Sequence, residues 1–254
     1  MTVCKVCGLD QPKLARCHIY PDSMTKEAAG PSQEMAAMYV RDGVAHAAPA
    51  IAGLFDDNIV CPDCERLFGP ADQYAINFRR DVLALRGRFT TPMGLQLPHY
   101  DADAAMLHAF AMNTLLRALL SDRWEYRAVH DPAIAAEVIP TLTGQGRTID
   151  SGRGVALLFT TGDLGSMAAS PTLRDVPGTP VYVIQLPNMQ LVIAASPAGL
   201  IPGFDAMQLQ AGQPVRVWRR RRPIEEELKA PSETIAATGA RVDRIFAGMR
   251  RKPR

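Results

Sequence analysis

Four of the five cysteines in this 254-residue sequence stand in two Cys-x-x-Cys pairs, Cys4-Lys-Val-Cys7 and Cys61-Pro-Asp-Cys64. Thiolates are soft ligands, and two such pairs can offer four sulfurs in a tetrahedron. Each pair wraps the ion in a tight turn whose amides can donate to sulfur. A structural Zn2+ held by Cys4, Cys7, Cys61 and Cys64 is the chemistry this pattern points to; bound iron or two unrelated thiol pairs are the alternatives. One pair alone could be a redox motif, but the second pair, and Gly8 after the first, argue against that. A disulfide framework is disfavoured by the odd count and by an amino terminus without the pattern of an export signal.

The 53 residues between the pairs exceed what a simple zinc ribbon needs, so an insertion separates the halves of the site. That stretch contains Leu14-Ala15-Arg16-Cys17-His18-Ile19-Tyr20-Pro21 and ends in Asp56-Asp57-Asn58. The order Cys-x-x-Cys-Gly, His-Ile-x-Pro, Asn-Ile-x-Cys-x-x-Cys resembles the zinc-containing branch of the HNH endonuclease family, with its treble-clef or ββα-metal fold. The resemblance covers residues 4 to about 80. It implies that His18 is the general base that deprotonates water, that Asn58 orients the loop, and that DNA phosphodiesters are cut. It also implies a second divalent cation, Mg2+ or Mn2+, at the catalytic site. Where the family often has Asp before the base this chain has Cys17, and after the last cysteine it has Glu65 in place of His or Asn. Glu65 is therefore the candidate cation ligand, with Asp56, Asp57 and Asp72 in reserve, although Asp56-Asp57-Asn58 equally reads as a turn or helix cap. The run Cys64 to Tyr74 further resembles a less characterised group of bacterial HNH-like proteins, which implies a role in phage defence or mobile-element conflict. The competing reading is a catalytically inactive zinc-stapled module that binds nucleic acid or protein, with His18 a buried imidazole bonded to a carbonyl.

The elements that must position these residues follow from periodicity. Tyr74, Phe78, Val82 and Leu85 recur at the helical period and predict a helix from Asp72 to about Arg86. A second helix is predicted from about Asp103 to Leu120, capped by Asp101 or Asp103, and a short one over 133–142, broken at Pro140. Val155 to Phe159 reads as a strand, Val181 to Leu186 and Gln190 to Ala195 as a hairpin, Val215 to Arg219 as a further strand, and Ser232 to Met249 as a final helix. The expected fold is α+β: a zinc-binding module over 1–86, a linker over 87–100, then over 101–254 a helical segment and a mixed domain with a small antiparallel sheet. Gly152-x-Gly154 lacks the rest of a nucleotide fingerprint, and His99, His108 and His130 are scattered.

Composition sets the outer limits. With 47% hydrophobic and 21% charged residues the chain is long and apolar enough for one large or two small cores. No run approaches the roughly 18 apolar residues of a membrane span, and cytoplasmic placement is expected. The net charge of +2 hides a basic end, with Arg219, Arg220, Arg221 and Arg222 in one run and Arg250, Arg251, Lys252 and Arg254 in another. Such runs attract polyanions, DNA among them, or simply keep a solvated terminus soluble. The second domain is the expected surface for any protein partner.

Overall fold

The computed structural model describes residues 1–29, 36–41, 44–49, 54–84, 102–127, 129–144, 152–160, 168–176, 178–197, 199, 201, 204 and 208–220. In chain order, β1 (Thr2–Val3) and β2 (Asp10–Gln11) pair antiparallel around the first cysteine pair. Then come β3 (Cys17–His18), α1 (Asp22–Ala29), the hairpin β4 (Ala36–Arg41) and β5 (Val44–Pro49), β6 (Phe55–Asp56) and α2 (Pro62–Ala84). The second half contributes α3 (Ala104–Leu120), a 3-10 turn at Trp124–Tyr126, α4 (Pro132–Leu142) and strands β7 (Val155–Thr160), β8 (Ala168–Val176), β9 (Thr179–Leu186), β10 (Met189–Ala194) and β11 (Trp218–Arg220).

Helix α2 begins at the second cysteine pair, ten residues earlier than the periodicity of its second half suggests. Cys64, Phe68, Ala71, Ala75, Phe78 and Val82 are buried at intervals of three or four, so one apolar face runs the whole length. Gly69-Pro70 resembles a stop, yet the helix passes through it. The interior proline forfeits one backbone bond, a cost of about 3 kcal/mol that burial of this face offsets. Pro140 is likewise carried within α4, which is unbroken. Asp103 caps α3 as expected, its Oδ1 accepting from the amides of Ala105 (2.8 Å) and Met106 (3.2 Å).

Seven strands form one mixed sheet in the order β11-β7-β10-β9-β8-β4-β5. The hairpin β9–β10 turns on Pro187-Asn188, and Asn188 takes the positive φ of 61° that such a turn demands. Strand β8 has an irregularity between Ala169 and Thr172, where Pro171 cannot donate to the ladder. Every residue of β10 is buried, because the sheet is covered on both faces. Leu157, Phe159, Ile184, Leu191 and Ile193 face the helices, while Ala156, Leu158, Val181, Val192 and Ala194 form a smaller cluster with Ile201 behind.

The insertion between the cysteine pairs joins this sheet. Strand β4 runs parallel to β8, with Ala37 opposite Ala168 and Met38 opposite Ala169. A single buried cluster accordingly takes in Cys4 and Ile19 from the first segment, Phe68 from α2, Leu115 from α3 and Leu157 from β7. Tyr20, fully buried, donates from its hydroxyl to the carbonyl of Ala169 at 2.6 Å and ties the end of β3 to β8. Among the described residues no helix is long and apolar enough to cross a membrane. The expected linker over 87–100, the final helix over 232–249 and the arginines from 221 onward lie outside the described residues.

Candidate metal centre and the adjoining polar cluster

The sulfurs of Cys4, Cys7, Cys61 and Cys64 all lie within 4.8 Å of one another, with those of Cys7 and Cys61 4.0 Å apart. Sulfurs at about 2.3 Å around one tetrahedral ion stand about 3.8 Å from each other, so the cluster is already near coordination geometry. Local backbone builds it. The Cys4 amide donates to the Leu9 carbonyl (3.0 Å) and the Gly8 amide to the Cys4 carbonyl (2.9 Å), closing a knuckle in which Gly8 takes a φ of 71°. The Lys5 amide donates to the Ile59 carbonyl at 2.8 Å and draws the two pairs together. The Cys61 amide donates to the Cys4 sulfur at 3.3 Å, and Cys64 lies in the first turn of α2, where the helix dipole favours negative charge.

Electrostatics within the cluster are divided. Burial works against the Cys4 thiolate, but amides of Cys7, Cys61 and Val6 outweigh it and bring the pKa down to about 7. Burial, reinforced by hydrogen bonds with Cys61 and Cys4, pushes the Cys64 thiol well up. Four thiolates this close would repel one another, and a cation among them would remove that penalty while keeping all four deprotonated. The four cysteines can thus hold a metal ion, and an all-sulfur set suits a soft or borderline one.

Strand β3 pairs antiparallel with β6, Cys17 opposite Asp56 and His18 opposite Phe55. Successive residues of a strand face opposite ways, and here Cys17 is fully buried while His18 remains partly exposed. The His18 ring meets Phe55 edge-on at 6.1 Å, and the Arg16 guanidinium lies 3.6 Å from the centre of the same ring. His18 Nε2 stands 3.8 Å from Asp22 Oδ1, and Asp22 also pairs with Lys26 at 2.5 Å. Burial lowers the His18 pKa against opposing pulls from Asp22 and Glu65, which leaves the imidazole neutral at pH 7.

Asn58 is exposed and lines a cleft of about 690 Å³ with Lys13, Arg16 and Pro62, at the start of α2. Its amide donates to Asp56 Oδ1 at 2.8 Å, and the other Asp56 oxygen accepts from Ser121 Oγ at 2.6 Å. Asp56 therefore fastens the loop before the second cysteine pair to the end of α3, and Asp57 is solvent-exposed beside it.

Behind β3 lies a group whose cation, Arg117, the sequence did not announce. Arg117, 1% exposed in the last turn of apolar α3, makes a bidentate pair with Asp72 (2.7 and 2.9 Å) and sits 4.9 Å from the centre of the Phe68 ring. Glu65 and Cys17 complete the cluster, and both act electrostatically on Arg117. Burial, more than the neighbouring carboxylates, pushes the Cys17 thiol far up, so it is protonated. Burial disfavours the Arg117 charge too, but Asp72 overcomes it and the guanidinium is held cationic. Glu65 Oε2 and Arg117 Nε are buried with no hydrogen-bond partner. No local pattern could have revealed Arg117, whose partner is 45 residues away. Of the scattered histidines, His108 is buried against the Arg153 carbonyl (3.2 Å), His130 is exposed and His99 lies outside the described residues. No protein-family model, no curated protein and no solved structure matches the chain.

Proposed function

We propose that the first third of the chain is a treble-clef zinc module of the HNH type that cuts DNA phosphodiesters, with His18 as general base. The observation that carries this reading is a partly exposed imidazole on a short strand, beside Asp22 and Phe55 and close to the helix that begins at the second cysteine pair. A base must be unprotonated at working pH to accept a proton from water, and burial lowers the His18 pKa from its ordinary value, which favours that form. The sequence of knuckle, strand pair β3–β6, and helix α2 with two cysteines at its start supports the treble-clef assignment, with Zn2+ as the structural ion. Lys13 and Arg16, in the cleft that also contains Asn58, supply positive charge for a phosphate backbone close to His18.

A second, hard cation would be held by Glu65, whose Oε2 has no hydrogen-bond partner but is buried. Mg2+ commonly binds through one or two carboxylates together with substrate phosphate and water, and burial of this oxygen weighs against that mode. Such an ion supplies charge stabilisation at the leaving oxygen. Cys17 adds nothing to it, being a buried protonated thiol, and both Asp72 oxygens are engaged by Arg117. One specific observation favours a second reading, a zinc-stapled module that holds nucleic acid or a protein without cutting: the Arg117 charge beside Glu65 opposes another cation.

The test is cleavage of single- and double-stranded DNA by zinc-loaded protein with Mg2+ or Mn2+, run with His18→Ala alongside. A nuclease loses at least a hundredfold in rate in the variant while DNA affinity, read by fluorescence anisotropy, stays within about twofold; general-base catalysis is typically worth 10²–10⁴. Binding without cleavage by the unmodified protein overturns the nuclease reading in favour of the second.

A further inference from the structure

The cleft of about 690 Å³ is concave, and its walls come mainly from the stretch Pro12 to Arg16, the loop Asp57-Asn58 and Pro62 at the start of α2. Proteins that read duplex DNA push a helix or a two-stranded ribbon into the major groove, which a hollow cannot do. Its volume instead falls within the roughly 300–1,000 Å³ of small-molecule sites, so it has room for a nucleotide.

Charge in the cleft is two cations against one carboxylate. Lys13, Arg16 and Asp57 are all exposed, and among the described residues none of them is engaged in an ion pair. Arg16 is positioned all the same, because its guanidinium carbon stands 3.6 Å from the centre of the Phe55 ring. At that separation a guanidinium lies flat on the ring. One face of it is therefore occupied, and the exposure of Arg16 leaves the other to a second flat partner. A planar cation held in this way is a platform for an unpaired base. His18 meets the same Phe55 ring at 6.1 Å, so platform and imidazole are one side chain apart.

We propose that this cleft takes an unpaired nucleic-acid strand, with a base stacked on Arg16 and a backbone phosphate paired with Lys13. A base inside a duplex is already stacked and paired, and cannot reach the guanidinium. The inference deepens the nuclease reading and rests on it for the fate of the strand, so binding is measured with no added Mg2+ or Mn2+. Fluorescence anisotropy of the full, zinc-loaded chain compares a short labelled DNA strand, its duplex, and an abasic strand that keeps the phosphates but has no bases. The intact strand binds about tenfold more tightly than either. Arg16→Lys keeps the charge but not the plane; it weakens the intact strand about fivefold or more and the abasic strand less than about twofold. Lys13→Ala weakens both strands alike and flattens the slope of log affinity against log salt by about 0.7, one phosphate contact. Unchanged melting temperature and metal content establish that each variant is folded. The same strand as RNA identifies the source: tighter binding of one sugar names it, and equal binding means that base and phosphate alone are read. A strand that binds in this way but is not cut once Mg2+ is added removes the nuclease reading and leaves the inference standing. Equal affinity for strand and duplex, an abasic strand that binds as tightly as the intact one, or an Arg16→Lys protein that behaves like the unmodified chain overturns it.

Discussion

Two polar clusters flank the first turns of α2, and they solve opposite problems. The sulfur cluster gathers four groups of like character and has no cation of its own among the described residues. The cluster formed by Cys17, Glu65, Asp72 and Arg117 carries its cation within the chain, as a guanidinium fixed by two hydrogen bonds to Asp72. The first is held by local backbone at both ends and can hold a metal ion. The second is assembled by tertiary packing, since α3 must dock on α2 before Arg117 reaches Asp72. One helix thus has the sulfur cluster at its start and an ion pair nearly three turns later, and the two anchors should fail in different ways.

The largest expected effect is at the sulfur cluster. Structural zinc contributes roughly 10–16 kcal/mol of apparent binding free energy in zinc-finger peptides, which equals or exceeds the whole stability of a typical domain. Stripping the metal with a strong chelator, or Cys61→Ser, should unfold the knuckle and expose the apolar face of α2. Calorimetric melting with parallel elemental analysis checks this, with one zinc per chain before treatment. A chain that melts at an unchanged temperature after losing its metal, or that never contained any, breaks the comparison at its root.

Next comes the buried pair. Removing one partner leaves an uncompensated charge in the interior, so Arg117→Met or Asp72→Asn should cost about 3–5 kcal/mol. Replacing both, as Arg117→Met with Asp72→Leu, should cost less than Arg117→Met alone, because no charge of that pair is then stranded. Denaturant melts of the zinc-loaded variants give the cycle. If Arg117→Met costs under about 1 kcal/mol, the second anchor is ornamental and coordination alone holds α2.

The same contrast explains what could be read in advance. The cysteine pairs are local motifs, and Cys4, Cys7, Cys61 and Cys64 do converge. Helix α3 and the hairpin β9–β10 were legible because a cap residue and a proline-asparagine turn mark them. The start of α2 was hidden by Gly69-Pro70, whose local preference is overridden by burial of Phe68 and Ala71. Strands β4, β5 and β8 escaped notice because alanine-rich or proline-containing stretches have little β-propensity and are strands only through their neighbours. Arg117 was invisible for the same kind of reason: in a helix of apolar residues a lone arginine reads as exposed, and only the fold supplies Asp72. His18 and Glu65 were named from the order of motifs; that Glu65 faces Cys17 and Arg117 was not deducible from it.

A smaller effect should come with acid. Both His18 and His108 have pKa values lowered by burial, so each binds its proton less readily in the folded chain than in the unfolded one, whose ordinary value is 6.5. Their contribution to stability is therefore complete above about 6.5 and is lost as pH falls through that value toward the folded pKa. Thermal melts taken from neutral to mildly acidic pH should show a decline, and His108→Gln should shrink it. The histidine part of this decline lies below neutrality, whereas deprotonation of the Cys4 thiol, at about 7, links metal uptake to a slightly higher range. Melting curves flat across the mildly acidic range would contradict the burial of both imidazoles.

The smallest effect separates the fifth cysteine from the other four. Cys17 is fully buried, and it belongs to the ionic cluster, where its protonated thiol lies beside Glu65. Cys17→Ser keeps shape and a donor hydrogen but places a more polar group in a dry site, so about 1 kcal/mol of stability is at stake, the scale of one hydrogen bond. Metal content should not move at all, because serine at 17 leaves every sulfur of the first cluster in place. Serine at any of the four coordinating positions, by contrast, should lower both metal content and stability. A Cys17→Ser protein that loses its metal would mean that the two clusters share a ligand, and the separation between an anchor that recruits its cation and one that carries it would have to be given up.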